Sequence, residues 1–182
     1  MEVLQLLESS RLFFLIACGA LGLVVGSFLN VVIYRLPVMM ERSWNRECRE
    51  HAGVSADTDE QQRFNLLTPA SRCPQCDHRI SALENIPLIS YLFLKGRCSG
   101  CGTSISIRYP AVELATAILS VVTALHFGYS LQTVAALGFT WALIALFLID
   151  FDHQILPDSI TLPLLWTGLL LSLFNLFVDS HN

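Results

Sequence analysis

Four cysteines carry the clearest chemistry in the 182-residue sequence. They form two C-x-x-C pairs, Cys73 with Cys76 and Cys98 with Cys101, and 21 residues separate the pairs. Each two-residue turn aims two sulfurs at one point, and two such pairs complete the tetrahedral sulfur set that structural zinc prefers. The sequence therefore predicts one Zn²⁺ bound by these four side chains, in a segment whose folding depends on the metal. A redox-active C-x-x-C pair and a pair of structural disulfides remain open as alternatives.

Three aspartates form the second group with possible chemistry. Asp150, Asp152 and Asp158 lie in the polar stretch Asp150–Ser159, between two apolar segments. Aspartic proteolysis needs two carboxylates that share one proton. On one helix Asp150 and Asp152 would point to nearly opposite sides, and Asp150 and Asp158 would be about 12 Å apart. A second carboxylate should therefore come from another helix. The simpler alternative is that these acids mark the water boundary of a membrane, with Asp158 as a helix N-cap.

The rest of the chain is too apolar for a soluble domain. Hydrophobic residues make up 53% and charged residues 14%, with a mean hydropathy of +0.56, whereas soluble domains have about 25% charged residues. The net charge of −4 argues against a nucleic-acid partner, which would favour a basic protein. The composition predicts an integral membrane protein whose partner is the lipid bilayer.

The apolar segments predict an all-α fold with about four transmembrane helices. The first covers residues 12–34, and residues 111–178 divide into three more at two polar breaks, since about 20 apolar residues cross a bilayer. Residues 35–110 contain ten of the eleven Lys and Arg residues. The positive-inside rule therefore predicts that this loop, which carries the cysteines, is cytoplasmic. Alternating spans then place Asp150 at the same face of the membrane.

Two further features lie inside these apolar segments, a series of small residues in the first and a glutamate in the second. Gly19, Gly22, Gly26 and Ser27 recur at helical spacing in the first segment. This spacing suits close packing against another helix, and the general abundance of glycine in membrane helices is the alternative. Glu113, near the start of the second span, either faces protein or caps its helix.

Several motifs together resemble the type 4 prepilin peptidases of aspartic peptidase family A24. These are the bifunctional leader peptidases and N-methyltransferases of type IV pilus and type II secretion systems. The resemblance covers almost the whole chain. In chain order its motifs are Gly26–Pro37 (GSFLNVVIYRLP), the two cysteine pairs, Glu84–Tyr91 (ENIPLISY), Arg108–Leu114 (RYPAVEL) and Ile149–Asp158 (IDFDHQILPD) with Thr161–Leu165 (TLPLL).

The resemblance implies a multi-pass aspartic protease of the bacterial inner membrane. Such an enzyme cuts the leader of type 4 prepilins or pseudopilins after a glycine at the cytoplasmic face. It then methylates the new amino terminus with S-adenosylmethionine. By position in the motif, Asp150 matches the first catalytic aspartate, and Cys73, Cys76, Cys98 and Cys101 match the zinc ligands. The residues that bind S-adenosylmethionine stay unknown, because the sequence contains no glycine-rich loop for it.

One motif of the family is missing from the sequence. The second catalytic aspartate of the family belongs to a Gly-x-Gly-Asp motif on a later span, and the 182 residues contain no such motif. We therefore expect the amino-terminal portion of a prepilin peptidase, inactive alone, and leave open whether the chain is itself an enzyme. The main alternative is a non-catalytic membrane adaptor whose zinc module binds prepilins or secretion components. A membrane thiol oxidoreductase is the third.

Overall fold

The computed structural model describes residues 2–53, 64–68, 73, 75–77 and 96–174. Within these ranges the regular secondary structure is helical, apart from one isolated bridge between Arg97 and Ser104. The predicted all-α fold is confirmed. The helices are α1 (Glu2–Ser9), α2 (Arg11–His51), α3 (Arg108–Phe127), α4 (Leu131–His153) and α5 (Asp158–Leu173).

Three of the helices, α2, α3 and α4, are long and apolar enough to cross a membrane. The fourth apolar helix, α5, has 16 residues, which is shorter than the roughly 20 residues that a bilayer core requires. Each of the four predicted apolar segments therefore contains a helix, and three of these helices have spanning length among the described residues.

Helix α2 continues well beyond Tyr34, where the apolar segment ends. It has 41 residues and is therefore about 60 Å long, roughly twice the thickness of a bilayer core. Ser10 caps its start, and the Ser10 hydroxyl accepts a hydrogen bond from the Phe13 N–H at 3.4 Å. In the polar part, Ser43 donates to Glu47 one turn later at 3.2 Å. Hydropathy detects only the apolar part of this helix, so the sequence prediction ends at Tyr34. In the structure the helix continues to His51.

The core of the bundle is built on small residues where α2 crosses α3. A Cβ atom added to Gly26 would lie 2.8 Å from the Cα atom of Glu113, so the two backbones are in contact. A Cβ atom at Gly22 would meet the Cα atom of Ala117 at 2.8 Å, and one at Gly19 would meet Val121 at 3.1 Å. The prediction that these glycines serve close helix packing is confirmed.

Helix α4 packs against both α2 and α3 and closes the core. Trp141 of α4 borders two buried clusters, and its Nε1 donates to the Ser120 hydroxyl of α3 at 2.9 Å. Helix α5 contributes no buried side chain among the described residues. The cluster at one end contains Leu29, Ile33, Val112, Ala145 and Ile149, and the cluster at the other end contains Cys18, Ala124 and Leu137.

Candidate metal centre and candidate active site

The four cysteines of the two C-x-x-C pairs lie together. Their Sγ atoms are all within 4.8 Å of one another. The Sγ atoms of Cys73 and Cys101 are 3.8 Å apart, and those of Cys76 and Cys98 are 4.0 Å apart. In a tetrahedral site with Zn–S bonds of about 2.3 Å, two sulfurs are about 3.8 Å apart. The cluster therefore has the spacing of a ligand set and could hold a metal ion.

Both cysteine pairs use the same backbone turn. In each pair, the residue after the second cysteine donates its N–H to the carbonyl of the first cysteine. Asp77 donates to Cys73 at 3.0 Å, and Gly102 donates to Cys98 at 2.9 Å. Asp77 and Gly102 also share a left-handed backbone, with φ values of 55° and 72°. Glycine adopts this conformation without cost, and aspartate tolerates it better than most residues do. The backbone thus brings the sulfurs together.

Thr103 adds a polar contact to the cluster that the sequence analysis missed. Its hydroxyl oxygen lies 3.2 Å from the Cys101 sulfur and donates to Gln75 Oε1 at 3.0 Å. Hydrogen bonding with the Thr103 side chain and backbone lowers the pKa of the Cys101 thiol to about 6. Backbone hydrogen bonds from Gln75 and Cys76 lower the pKa of the Cys73 thiol. Both shifts favour the thiolate, which is the form that binds metal.

The arrangement of the thiols separates the alternatives. All six cysteines of the chain are free, and the separations of 3.8 and 4.0 Å in the cluster are well above the S–S bond length of about 2.05 Å. The cluster is therefore not a pair of disulfides. Redox C-x-x-C motifs of the thioredoxin type act as a single pair. Here both pairs converge on one point, which favours metal binding.

Asp150 lies in the last turn of α4, and its side chain is exposed. The carbonyl of Asp150 accepts the Gln154 N–H at 2.8 Å, and Gln154 ends the helix with a left-handed φ of 55°. The Asp150 carboxylate makes no hydrogen bond or ion pair within the described part of the chain. The carboxylate is therefore accessible at the end of the bundle where α4 ends and α3 begins.

The other two aspartates have different surroundings. Asp152 accepts a hydrogen bond from Arg108, the first residue of α3, in an ion pair between α3 and α4. Asp158 is the first residue of α5, where a carboxylate faces the positive end of the helix dipole. The N-cap position belongs to Pro157, so the expectation that Asp158 is the cap is wrong by one residue. Because α4 ends before Pro157, Asp150 and Asp158 belong to separate helices.

Glu113 faces protein, which settles the alternative that the sequence left open. Its side chain is 0% exposed, at the point where Gly26 brings α2 against α3. The helix begins five residues earlier, at Arg108, so Glu113 is not a cap. The Glu113 carboxyl is thus enclosed between helices, whereas the Asp150 carboxyl is exposed.

Arg35 attaches a segment of the loop to α2. This arginine is only 8% exposed, and its Nη1 donates to the Asn65 carbonyl at 2.9 Å. The ring of Phe64 lies 5.7 Å from Arg35 Cζ and 4.3 Å from Arg42 Cζ, within the range of cation–π interactions. The segment 64–68, which precedes Cys73, is therefore tied to the polar half of α2. No pattern in the sequence links these residues.

Most of the motifs recognised in the sequence fall on these sites. Gly26–Pro37 contains the closest point of the helix crossing, and Arg108–Leu114 contains the arginine of the ion pair and the buried glutamate. Ile149–Asp158 contains the exposed Asp150 and the aspartate of the ion pair. The motif Glu84–Tyr91 lies outside the described residues.

Comparisons with known proteins agree with the family resemblance that these motifs indicate. Residues 20–127 match the family model described as the bacterial peptidase A24 N-terminal domain, and residues 137–181 match the model of the type IV leader peptidase family. No solved structure matches the chain.

Curated relatives match over the full length of the chain. It is 54% identical to the prepilin leader peptidase/N-methyltransferase of Stutzerimonas stutzeri, over all of this chain and 63% of that protein. The identity is 55% to the protein of that name from Dichelobacter nodosus, over 64% of its length, and 53% to that of Pseudomonas aeruginosa, over 62%. The chain thus spans just under two thirds of the length of these relatives. It belongs to the family of the bacterial peptidase A24 N-terminal domain, whose model matches residues 20–127.

Proposed function

We propose that the chain is the part of a prepilin leader peptidase/N-methyltransferase that carries the metal module and one of the two catalytic aspartates. The observation that carries this proposal is the identity of 53 to 55% over all 182 residues to relatives of that name. The exposed carboxylate of Asp150, within the matched range 137–181, supports it.

Asp150 would act as one carboxylate of an aspartic pair. In such a pair one carboxylate takes a proton from the attacking water, and the other gives a proton to the leaving amine. Asp150 can supply one of these roles, because its carboxylate is exposed and forms no ion pair among the described residues. The second carboxylate would come from outside the described helices. The substrate would be the leader of a type 4 prepilin or pseudopilin.

The cysteine cluster would hold a structural Zn²⁺. Four thiolates close a tetrahedral site and leave no position for substrate, which is the pattern of a structural rather than a catalytic zinc. The cluster ends at Cys101, seven residues before Arg108, where α3 starts. Folding of the module around zinc would therefore fix the start of α3. S-adenosylmethionine would be the methyl donor, and we assign no residues to it.

The distribution of charge supports a location in the bacterial inner membrane. Ten of the eleven Lys and Arg residues lie between Arg35 and Arg108, which by the positive-inside rule favours a cytoplasmic loop. The metal module and Asp150 would then both face the cytoplasm, where a leader is accessible before the prepilin is assembled.

A cleavage assay in membranes tests the proposal. The chain is co-expressed with the remaining portion of the Pseudomonas aeruginosa relative, and removal of a prepilin leader is followed by mass spectrometry. We expect cleavage with the native chain and none with Asp150→Asn. The matched control Glu50→Gln changes an exposed acid on α2 in the same way and should leave cleavage intact.

Two results would count against this function. Cleavage that persists in Asp150→Asn would remove Asp150 from the chemistry. A native chain that never supports cleavage but still co-purifies with the prepilin would favour the adaptor function instead.

A further inference from the structure

The ion pair between Arg108 and Asp152 joins two helix ends beside Asp150. Arg108 is the first residue of α3, and Asp152 lies in the last turn of α4. Their side chains are 46% and 22% exposed. An exposed pair of this kind usually stabilises a protein little. Three further observations suggest that this pair has a positioning role.

The first observation is the direction of the neighbouring side chains on α4. Successive residues of a helix are rotated by about 100°. Ile149 is 0% exposed and packs with Val112 of α3 in the core. Asp152, three residues later, lies about 60° from Ile149, on the side that reaches Arg108. Asp150 is about 160° from Asp152 and so points to the side of α4 that faces away from α3.

The second observation is that Arg108 is itself held in place. The next residue, Tyr109, accepts a hydrogen bond at its carbonyl from Asn30 Nδ2 of α2, at 3.1 Å. Arg108 therefore links the last turn of α4 to α3 and, through Tyr109, to α2. On α4 this connection ends at Asp152, two residues before Gln154, the residue that terminates the helix.

The third observation is that both charges oppose the helix dipoles. A cation at a helix N-terminus and an anion at a helix C-terminus are each disfavoured by the helix dipole. Arg108 and Asp152 occupy these two positions. Helix stability alone would therefore favour neutralising either residue or exchanging the two, so the native arrangement needs a different physical reason.

We infer that Arg108 and Asp152 are positioning residues whose ion pair fixes the rotation of the last turn of α4 and directs Asp150 away from α3. The catalytic role of Asp150 in this inference rests on the proposed function, whereas the orientation of its side chain does not. It also states where the second carboxylate must approach, namely from the side of α4 opposite α3. Glu113 of α3, enclosed against α2, does not satisfy that condition.

Hydrogen–deuterium exchange tests the geometry without any activity. Peptides that cover Asp150–Gln154 are compared in the native chain, in Arg108→Ala, in Asp152→Asn and in the exchanged double variant Arg108→Asp/Asp152→Arg. We expect exchange about two- to fivefold faster in each single variant. In the double variant we expect exchange at the native rate or slower, because the ion pair is restored and both charges then complement the helix dipoles. Arg46→Ala, an exposed arginine on α2, is the matched control and should leave the rates unchanged.

The outcomes of this experiment are distinct. If the residues act only through helix dipoles, each single variant would exchange at the native rate or more slowly, and the inference would be wrong. Faster exchange in both single variants without recovery in the double variant would also overturn it, because the two side chains would then act separately. Retention of bound zinc in every variant would show that the changes are local.

The cleavage assay adds a catalytic readout. Misplacement of a catalytic group by about 1 Å can cost about 10²-fold in rate, so we expect a loss of about ten- to a hundredfold in the single variants. The double variant should recover most of the rate. If Asp152 took part in the chemistry directly, the double variant would stay inactive, and this inference would fail while the proposed function stood. Absence of cleavage by the native chain would contradict the proposed function, and the exchange data would still decide the geometry.

Discussion

Replacement of Gly26 by alanine tests the packing of α2 against α3 at its closest point. The added Cβ atom would lie 2.8 Å from Glu113 Cα and 3.1 Å from Thr116 Cβ. Ordinary carbon contacts are about 3.5–4.0 Å, so the two helices must separate locally by about 0.7 Å or more. The nearest atom belongs to the backbone, so a change of side-chain rotamer cannot relieve the contact.

A second glycine on the same bundle provides the reference for the magnitude. Gly138 lies in the middle of α4, and no atom of the described residues lies within 4 Å of a Cβ added there. Alanine gains about 1 kcal/mol of helix propensity over glycine at either position, so this contribution cancels in the comparison. Overpacking a tight core costs about 1–3 kcal/mol. We therefore expect Gly26→Ala to have a free energy of unfolding about 1–3 kcal/mol below that of Gly138→Ala.

The buried thiol of Cys18 provides the measurement. Cys18 is 6% exposed in the α2–α3–α4 core, so alkylation of this residue reports opening of the bundle. Its extent is followed by peptide mass spectrometry as sodium dodecyl sulfate is titrated into mixed micelles. The expected difference corresponds to a change of about 5- to 150-fold in the unfolding equilibrium. Equal midpoints for Gly26→Ala and Gly138→Ala would refute the close contact.

Three further predictions concern the metal cluster and the end of α4. Cys76→Ser should reduce bound zinc from about one per chain to near zero by metal analysis, whereas Cys48→Ser, at an exposed cysteine outside the cluster, should leave it unchanged. Thr103→Val removes the hydroxyl beside Cys101 and should weaken zinc binding by about 10–100-fold in a competition titration with a chelator. An unchanged affinity would show that this contact does not contribute to zinc binding. Gln154→Gly relieves the left-handed backbone of a non-glycine residue and should raise the free energy of unfolding by up to about 1 kcal/mol; a lower value in the same micelle titration would contradict that reasoning.

Local sequence patterns predict the cysteine cluster, the glycine contact between helices and the position of Asp150. Each C-x-x-C pair is a local turn, so the spacing alone places two thiols together, and the structure brings both pairs to one cluster. The stripe of glycines at helical spacing predicts the α2–α3 contact for the same reason. Asp150 stands out because it is a charge at the end of an apolar segment.

Contacts between distant parts of the chain lie beyond such patterns. Arg108 and Asp152 are 44 residues apart, and Arg35 and Asn65 are 30 residues apart, so neither pair produces a periodic signal. The length of α2 is also hidden, because its polar half is helical without being apolar. By sequence alone Glu113 could face protein or cap its helix, and only the direction of α3 relative to Gly26 decides that it is buried.

Helix α2 continues from the membrane segment into its polar part as one helix. Residues 35–51 extend the membrane segment by about 25 Å, and the same helix contacts Glu113 at Gly26. A tilt of about 10° about residue 35 would move the far end at His51 by about 4 Å. The helix bends most easily at Pro37, because this residue lacks the N–H that would bond within the helix. A force at His51 that the helix does not absorb at Pro37 therefore acts on the crossing that supports the candidate active site.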